Sequence, residues 1–109
     1  MAQTSTQSKA PASVNNVAVG RFLDTGTVAD TTITCGFKPR YVRIMNVTSR
    51  DSEEWFEGMD ADSAVKSVAA GTSTLITTNG ITVSANGFSI GLDTDILVTS
   101  EQLSWLAIG

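Results

Sequence analysis

Phe22-Leu23-Asp24-Thr25-Gly26 sets a carboxylate behind two apolar residues and just ahead of a glycine. One such Asp per chain is enough for acid–base hydrolysis if the chain pairs with a second copy. Two carboxylates about 3 Å apart share one proton, so one acts as base while the other acts as acid. Elsewhere the means for chemistry are sparse. The 109 residues include one cysteine, Cys35, and no histidine. Ser-His-Asp and Cys-His catalysis are therefore excluded within one chain, as are the usual Cys/His zinc sites and any intramolecular disulfide. Cys35 lies among small and apolar residues in "TTITCGF" and reads as a buried structural thiol.

The loop at Asp24 bears comparison with the catalytic loop of dimeric aspartic proteases, and "FSIGLD" with their second apolar-apolar-Gly element. The surroundings disagree. Arg21 interrupts the apolar strand that should lead into the loop. "DTDILVTS" reads as a turn and a strand where an amphipathic helix is required, and no Gly-rich flap hairpin is present. Asp-Thr-Gly is also ordinary turn chemistry. The expectation is a structural Asp24 and no enzymatic activity, with a homodimeric aspartic protease using Asp24 as the alternative. Asp60-Ala61-Asp62-Ser63 and Asp93-Thr94-Asp95 each place two carboxylates two residues apart, a spacing that suits Ca²⁺ when carbonyls assist. Neither shows a full calcium-loop pattern, so both read as solvated acidic turns, and no cofactor or metal is expected.

Two clusters point toward contacts rather than catalysis. Glu53, Glu54 and Glu57 flank Trp55 and Phe56. Strand alternation puts Trp55 and Glu57 on one face and Phe56 on the other, as in a strand packed on the core on one side and on a partner on the other. Trp55 is the expected exposed interface anchor. Lys38, Arg40 and Arg43 lie close enough to form a small basic stripe, a solvated face or subunit contact in which Arg43 is the candidate residue. A net charge of −4 argues against nucleic acid as a partner.

These residues need elements to hold them. Residues 1–16 are rich in Ser, Thr, Gln, Asn and Ala, too polar to offset the entropy of ordering alone. They read as a flexible N-terminal arm that orders on a partner, with Ala10, Pro11, Ala12 and Val14 supplying small apolar contacts. Residues 17–109 form one domain, in which short Val-, Ile- and Thr-rich runs alternate with Gly, Asn and Asp. Ten strands are predicted, over 17–23, 31–35, 41–47, 54–59, 64–69, 72–78, 81–84, 88–90, 96–99 and 103–108. Asn79-Gly80 predicts a hairpin over 72–84, since Asn-Gly suits a type I′ turn, and Asn86-Gly87 marks the next turn. A short helix capped by Asp62 or Ser63 and ending before Gly71 is the one helical alternative. The predicted fold is all-β, an antiparallel β-sandwich or jelly-roll-like barrel with an extended N-terminal arm.

The first sixteen residues hold no apolar core of a signal peptide, and no segment approaches the ~20 apolar residues of a membrane span. Asn46-Val47-Thr48 matches a glycosylation acceptor, which carries no weight without a secretion signal. No membrane partner is expected, and the protein is expected to be made in a cytoplasm.

From Gly36 to Ile108 the chain resembles small β-sandwich structural proteins of tailed bacteriophages. The motifs that carry this are "GFKPRYVRIMN", "EEWFEGM", "NGITV", "GFSIG", "DTD" and "LSWLAIG". The resemblance covers about two thirds of the chain, leaving out the arm and the Asp24 loop. It implies a virion protein assembled in the host cytoplasm, most simply a capsid decoration or cement protein. Such a protein binds the major capsid protein as a symmetric oligomer, a homotrimer, and stabilises the head shell. The alternative it implies is a tail-tip or tail-fibre module contacting the host receptor. No catalytic residues come with it.

Overall fold

The computed structural model describes residues 16–23 and 28–109. It holds eight strands: β1 (Val17–Leu23), β2 (Thr31–Thr34), β3 (Tyr41–Asn46), β4 (Asp51–Phe56), β5 (Ser63–Ser67), β6 (Ser73–Ser84), β7 (Gly87–Ile90) and β8 (Gln102–Ile108). All pair antiparallel in one sheet of order β1-β8-β3-β4-β5-β6-β7-β2. The all-β expectation holds, and 62–71 forms no helix among the described residues.

The sheet curls into a half-barrel, for a reason written on its inner face. β7 and β8 are five strand steps apart, about 24 Å if the sheet were flat. Phe88 of β7 and Trp105 of β8 nevertheless meet edge to face with ring centroids 5.4 Å apart. Val42, Ile44, Trp55, Ala64, Ile81, Phe88, Ile90, Leu103 and Ala107 line the concave side and bury one another. Gly20 of β1 lies opposite Trp105, and a Cβ there would strike the indole, so only glycine leaves room for the ring.

Four sequence expectations change at the level of elements. The runs 72–78 and 81–84 form one long strand, β6, and Asn79-Gly80 is not a hairpin tip. The β5–β6 register jumps from Ala64↔Ile76 to Ser63↔Ile81, which leaves 77–80 as a bulge. Asn79 adopts φ 58°, but Gly80 is not at positive φ, so the two positive φ angles of a type I′ turn are not met. Gly80 serves close approach instead. Its N–H donates to the Asp62 carbonyl at 3.0 Å, and a Cβ would collide with the backbone of Ser63 and Asp62. The bulge lets β6 leave β5 and pair with β7, which turns the sheet's corner. The β6–β7 hairpin closes at Ala85-Asn86, with Ser84 paired to Gly87.

The fourth change concerns 96–99, which form turns rather than a strand. Ile96 and Leu97 are adjacent and both buried, because their N–H groups donate to the Asp93 carbonyl at 3.0 and 2.8 Å in a helix-like turn. That turn drops two side chains into the open side of the half-barrel. Asn46 pins it there. Buried at the end of β3, its Nδ2 donates to the Ile96 carbonyl (2.9 Å) and to Glu101 Oε1 (2.8 Å), and its Oδ1 accepts from Thr48 and Ser49 N–H at 3.0 Å each. A fully engaged, buried amide is no glycan acceptor.

Candidate functional site

Strand register sorts the side chains onto two faces. On the outer face Val17, Ile108, Tyr41 and Phe56 stand directly across from one another on β1, β8, β3 and β4. Val19, Leu106, Arg43 and Glu54 form the next row. Val19 is 74% exposed and Phe56 51%, and Val17, Leu23 and Ile108 are also exposed. The Tyr41 and Phe56 rings lie 5.1 Å apart in a tilted pair. Tyr41 O–H donates to Glu54 Oε2 at 2.6 Å. Burial, followed by that bond and the carboxylate's charge, pushes the phenol up to about 12. A depression in the sheet is lined by Arg43, Met45, Ser104, Trp105 and Leu106. β1 has no strand on its free edge among the described residues.

The interface candidates named from sequence divide. Arg43 does lie on this outer face, exposed. Trp55 does not, and the expectation of an exposed Trp is corrected. It is 6% exposed and packs in the core, with Nε1 donating to the Asp60 carbonyl at 3.2 Å. Of the adjacent aromatics it is Phe56 that meets solvent. Alternation does put Trp55 and Phe56 on opposite faces, but the core side is that of Trp55, which shares a row with the core-facing Val42 and Ala107. Ala10, Pro11, Ala12 and Val14, and the Asp24-Thr25-Gly26 loop, lie outside the described residues. The basic stripe is not a unit, since Arg40 Nη2 donates to the Gly109 carbonyl at 2.9 Å. Cys35 is half-buried and its thiol donates to the Phe37 carbonyl at 3.4 Å.

The second site is on the inner face. The row that carries Trp105 and Ile44 continues to Glu53 of β4 and Lys66 of β5. Glu53 is 0% exposed, and neither carboxyl oxygen has a hydrogen-bond partner. Burial pushes its pKa up to about 8; the charges of Asp93 and Asp62 add to the rise, and Lys66 opposes it. At neutral pH Glu53 is therefore mostly a neutral acid, which is how a core holds an unpaired carboxyl. Lys66 is engaged elsewhere. Its Nζ lies 2.9 Å from Asp93 Oδ2 and 2.6 Å from Asp95 Oδ2, and only Asp95 of the three is well exposed. Burial pulls the Lys66 pKa down, but hydrogen bonds and charge from Asp95 and Asp93 outweigh it and raise the value.

The Asp93-Thr94-Asp95 turn is thus not simply solvated. It caps an ammonium that sits where a cation would. Among the described residues no group of three or more acidic or thiol side chains is arranged to hold a metal ion. In the sequence Glu53 reads with Glu54 and Glu57 as one of the acids that flank Trp55 and Phe56. Alternation alone gave the signal that could have separated them, since Glu53 shares the face of Trp55.

No protein-family model, curated protein or solved structure matches the chain, so its relationships are not shown by comparison.

Proposed function

We propose that this chain is a structural protein of a tailed-bacteriophage virion, a capsid decoration protein that binds the head shell as a homotrimer and stabilises it. The single observation that carries this reading is the outer row Val17–Ile108–Tyr41–Phe56. It is an apolar, aromatic stripe on an ordered sheet face, bordered by Arg43 and Glu54, and it has the makeup of an interface core with a polar rim. The motifs from Gly36 to Ile108 point to the same class of protein. On this reading a neighbour completes one side of the half-barrel, and the two together would make a jelly-roll-like sandwich.

The partner on this reading is the major capsid protein, with self-association around the threefold axis. Phe56→Asp tests it. The variant should stay folded, since Phe56 is outside the core, yet lose trimer mass in sedimentation and fail to bind particles stripped of the protein. Undiminished trimerisation and particle binding would remove the stripe from the interface. Copy number per virion separates the shell from the tail tip, because hundreds of copies fit only a shell protein.

A further inference from the structure

The buried row ends in three groups that the proposed binding role does not use: Lys66, Asp93 and Glu53. We propose that Lys66 and Asp93 join in an intramolecular amide, with the buried Glu53 carboxyl carrying the proton that the condensation needs, so that the chain cross-links itself after folding.

The reacting groups are already in contact. Lys66 Nζ lies 3.0 Å from Asp93 Oδ1 and 2.9 Å from Oδ2, an ion pair in which a turn of the carboxyl is still needed to present Cγ to the nitrogen. Asp93 is held for the encounter, since its Oδ1 also accepts the Asp95 N–H at 2.9 Å and its carbonyl anchors Ile96 and Leu97. Both partners are largely shielded from water, at 15% and 10% side-chain exposure. Against the pull of burial, hydrogen bonds and charge from Asp95 and Asp93 hold Lys66 as the ammonium, so the reactive amine arises only when the pair exchanges its proton internally. Asp95 holds the same ammonium but is exposed at 54%, so water competes there and Asp93 is the acyl partner.

Glu53 gives the site its third part. It stands directly across from Lys66 in the β4–β5 register, so their side chains share a face at neighbouring positions. It is fully buried, and its carboxyl has no structural bond to give up. An orphaned carboxyl costs stability, and a use in proton transfer, reached by a side-chain rotation since it bonds neither group at rest, accounts for its place on this row.

The step balances without a co-reactant. A proton passes from the Lys66 ammonium to the Asp93 carboxylate, giving an amine and an acid. The Lys66 nitrogen lone pair attacks Asp93 Cγ and forms a C–N bond. Glu53 donates its proton to the departing hydroxyl and takes one from the nitrogen. The Cγ–O bond breaks, one water leaves, and Glu53 ends protonated as it began. Nothing is oxidised or reduced.

Intact-mass spectrometry of the purified, denatured chain reads the outcome directly. The wild type should be lighter by one water than its sequence requires, and digestion should yield one branched peptide joining Lys66 to Asp93. Lys66→Arg and Glu53→Gln should both keep the full mass; the second is near-isosteric, and circular dichroism will show that it is folded. Wild-type protein that stays at full mass after prolonged incubation at neutral pH would overturn the proposal. So would a water loss that persists in Lys66→Arg, or cross-linking in Glu53→Gln at the wild-type rate. All these readouts are independent of particle binding, so a failed cross-link and a failed decoration role can be told apart.

Discussion

Glu53 and Lys66 face each other directly across the β4–β5 pair, yet they form no hydrogen bond: the ammonium reaches over to Asp93 and Asp95. Because Glu53 is left to the core, its charged form is the costly one. That relation dictates how the fold responds to pH.

The carboxyl rises from an ordinary 4.5 to about 8 on folding. Between those values the folded chain keeps a proton that the unfolded chain has released. Stability therefore falls as pH rises through this window, by up to about 1.4 kcal/mol per pH unit, and the effect is absent below it. Urea midpoints measured from pH 4 to pH 9 should show the decline, and Glu53→Gln should flatten it. A wild-type profile that rises across the window would contradict a buried, unpaired Glu53.

Tyr41 is the chain's single tyrosine, so its ionisation can be read without ambiguity by phenolate absorbance. Its midpoint should lie near 12 in the folded protein. Glu54→Gln removes the carboxylate that accepts its proton and should bring the midpoint down toward the ordinary 10.0.

Gly80→Ala should be far more damaging than a typical Gly→Ala change, because the new methyl meets the Ser63 and Asp62 backbone rather than a movable side chain. Overpacking of this kind costs about 1–3 kcal/mol, or more where backbone must shift. At Asn79, φ 58° makes Val the unfavourable choice, with a cost of about 1 kcal/mol or more. Thermal denaturation compares the two, and a neutral Gly80→Ala would mean that β5 and β6 do not cross so closely.

Asn46→Ala should free the covering turn at 91–101 without dismantling the sheet. It strands buried donors and acceptors at once, a loss of about 3 kcal/mol or more. Hydrogen exchange should speed up at Ile96 and Leu97 before it does in β3 or β8. Phe88→Ala acts on the core instead, costing about 3–5 kcal/mol and removing the edge contact that Trp105 fluorescence reports.

Much of this architecture was legible because β-branched runs and period-2 alternation are local signals. The run 17–23 emerged with its bounds intact, and Val42 and Ile44, Phe88 and Ile90 share the faces their spacing assigned. The misreadings share a cause: local chemistry was overridden by long-range pairing. Asn79-Gly80 has the residues of a tight turn, but pairing with β5 and then β7 draws the strand straight through it. Ile96 and Val98 alternate like a strand, yet among the described residues they pair with none. Trp55 reads as a surface residue because acids surround it in sequence. One of those acids, Glu53, is itself in the core, and nothing in its neighbours announces a buried carboxyl.

The strand order also governs when the sheet can form. β3 to β7 pair each with the next, separated by short connections, and need no help from the chain ends. Among the described residues β1 pairs only with β8, and β2 only with β7. The strands made first on the ribosome therefore wait for those made last, and such distant pairings are slow because loop entropy is lost before contact rewards it. Pulse-labelled exchange should protect the β3–β7 meander early and β1 late. Until β8 arrives, Val17, Val19 and Phe22 have no sheet to join, and a nascent chain spends that interval with its stickiest strand uncovered.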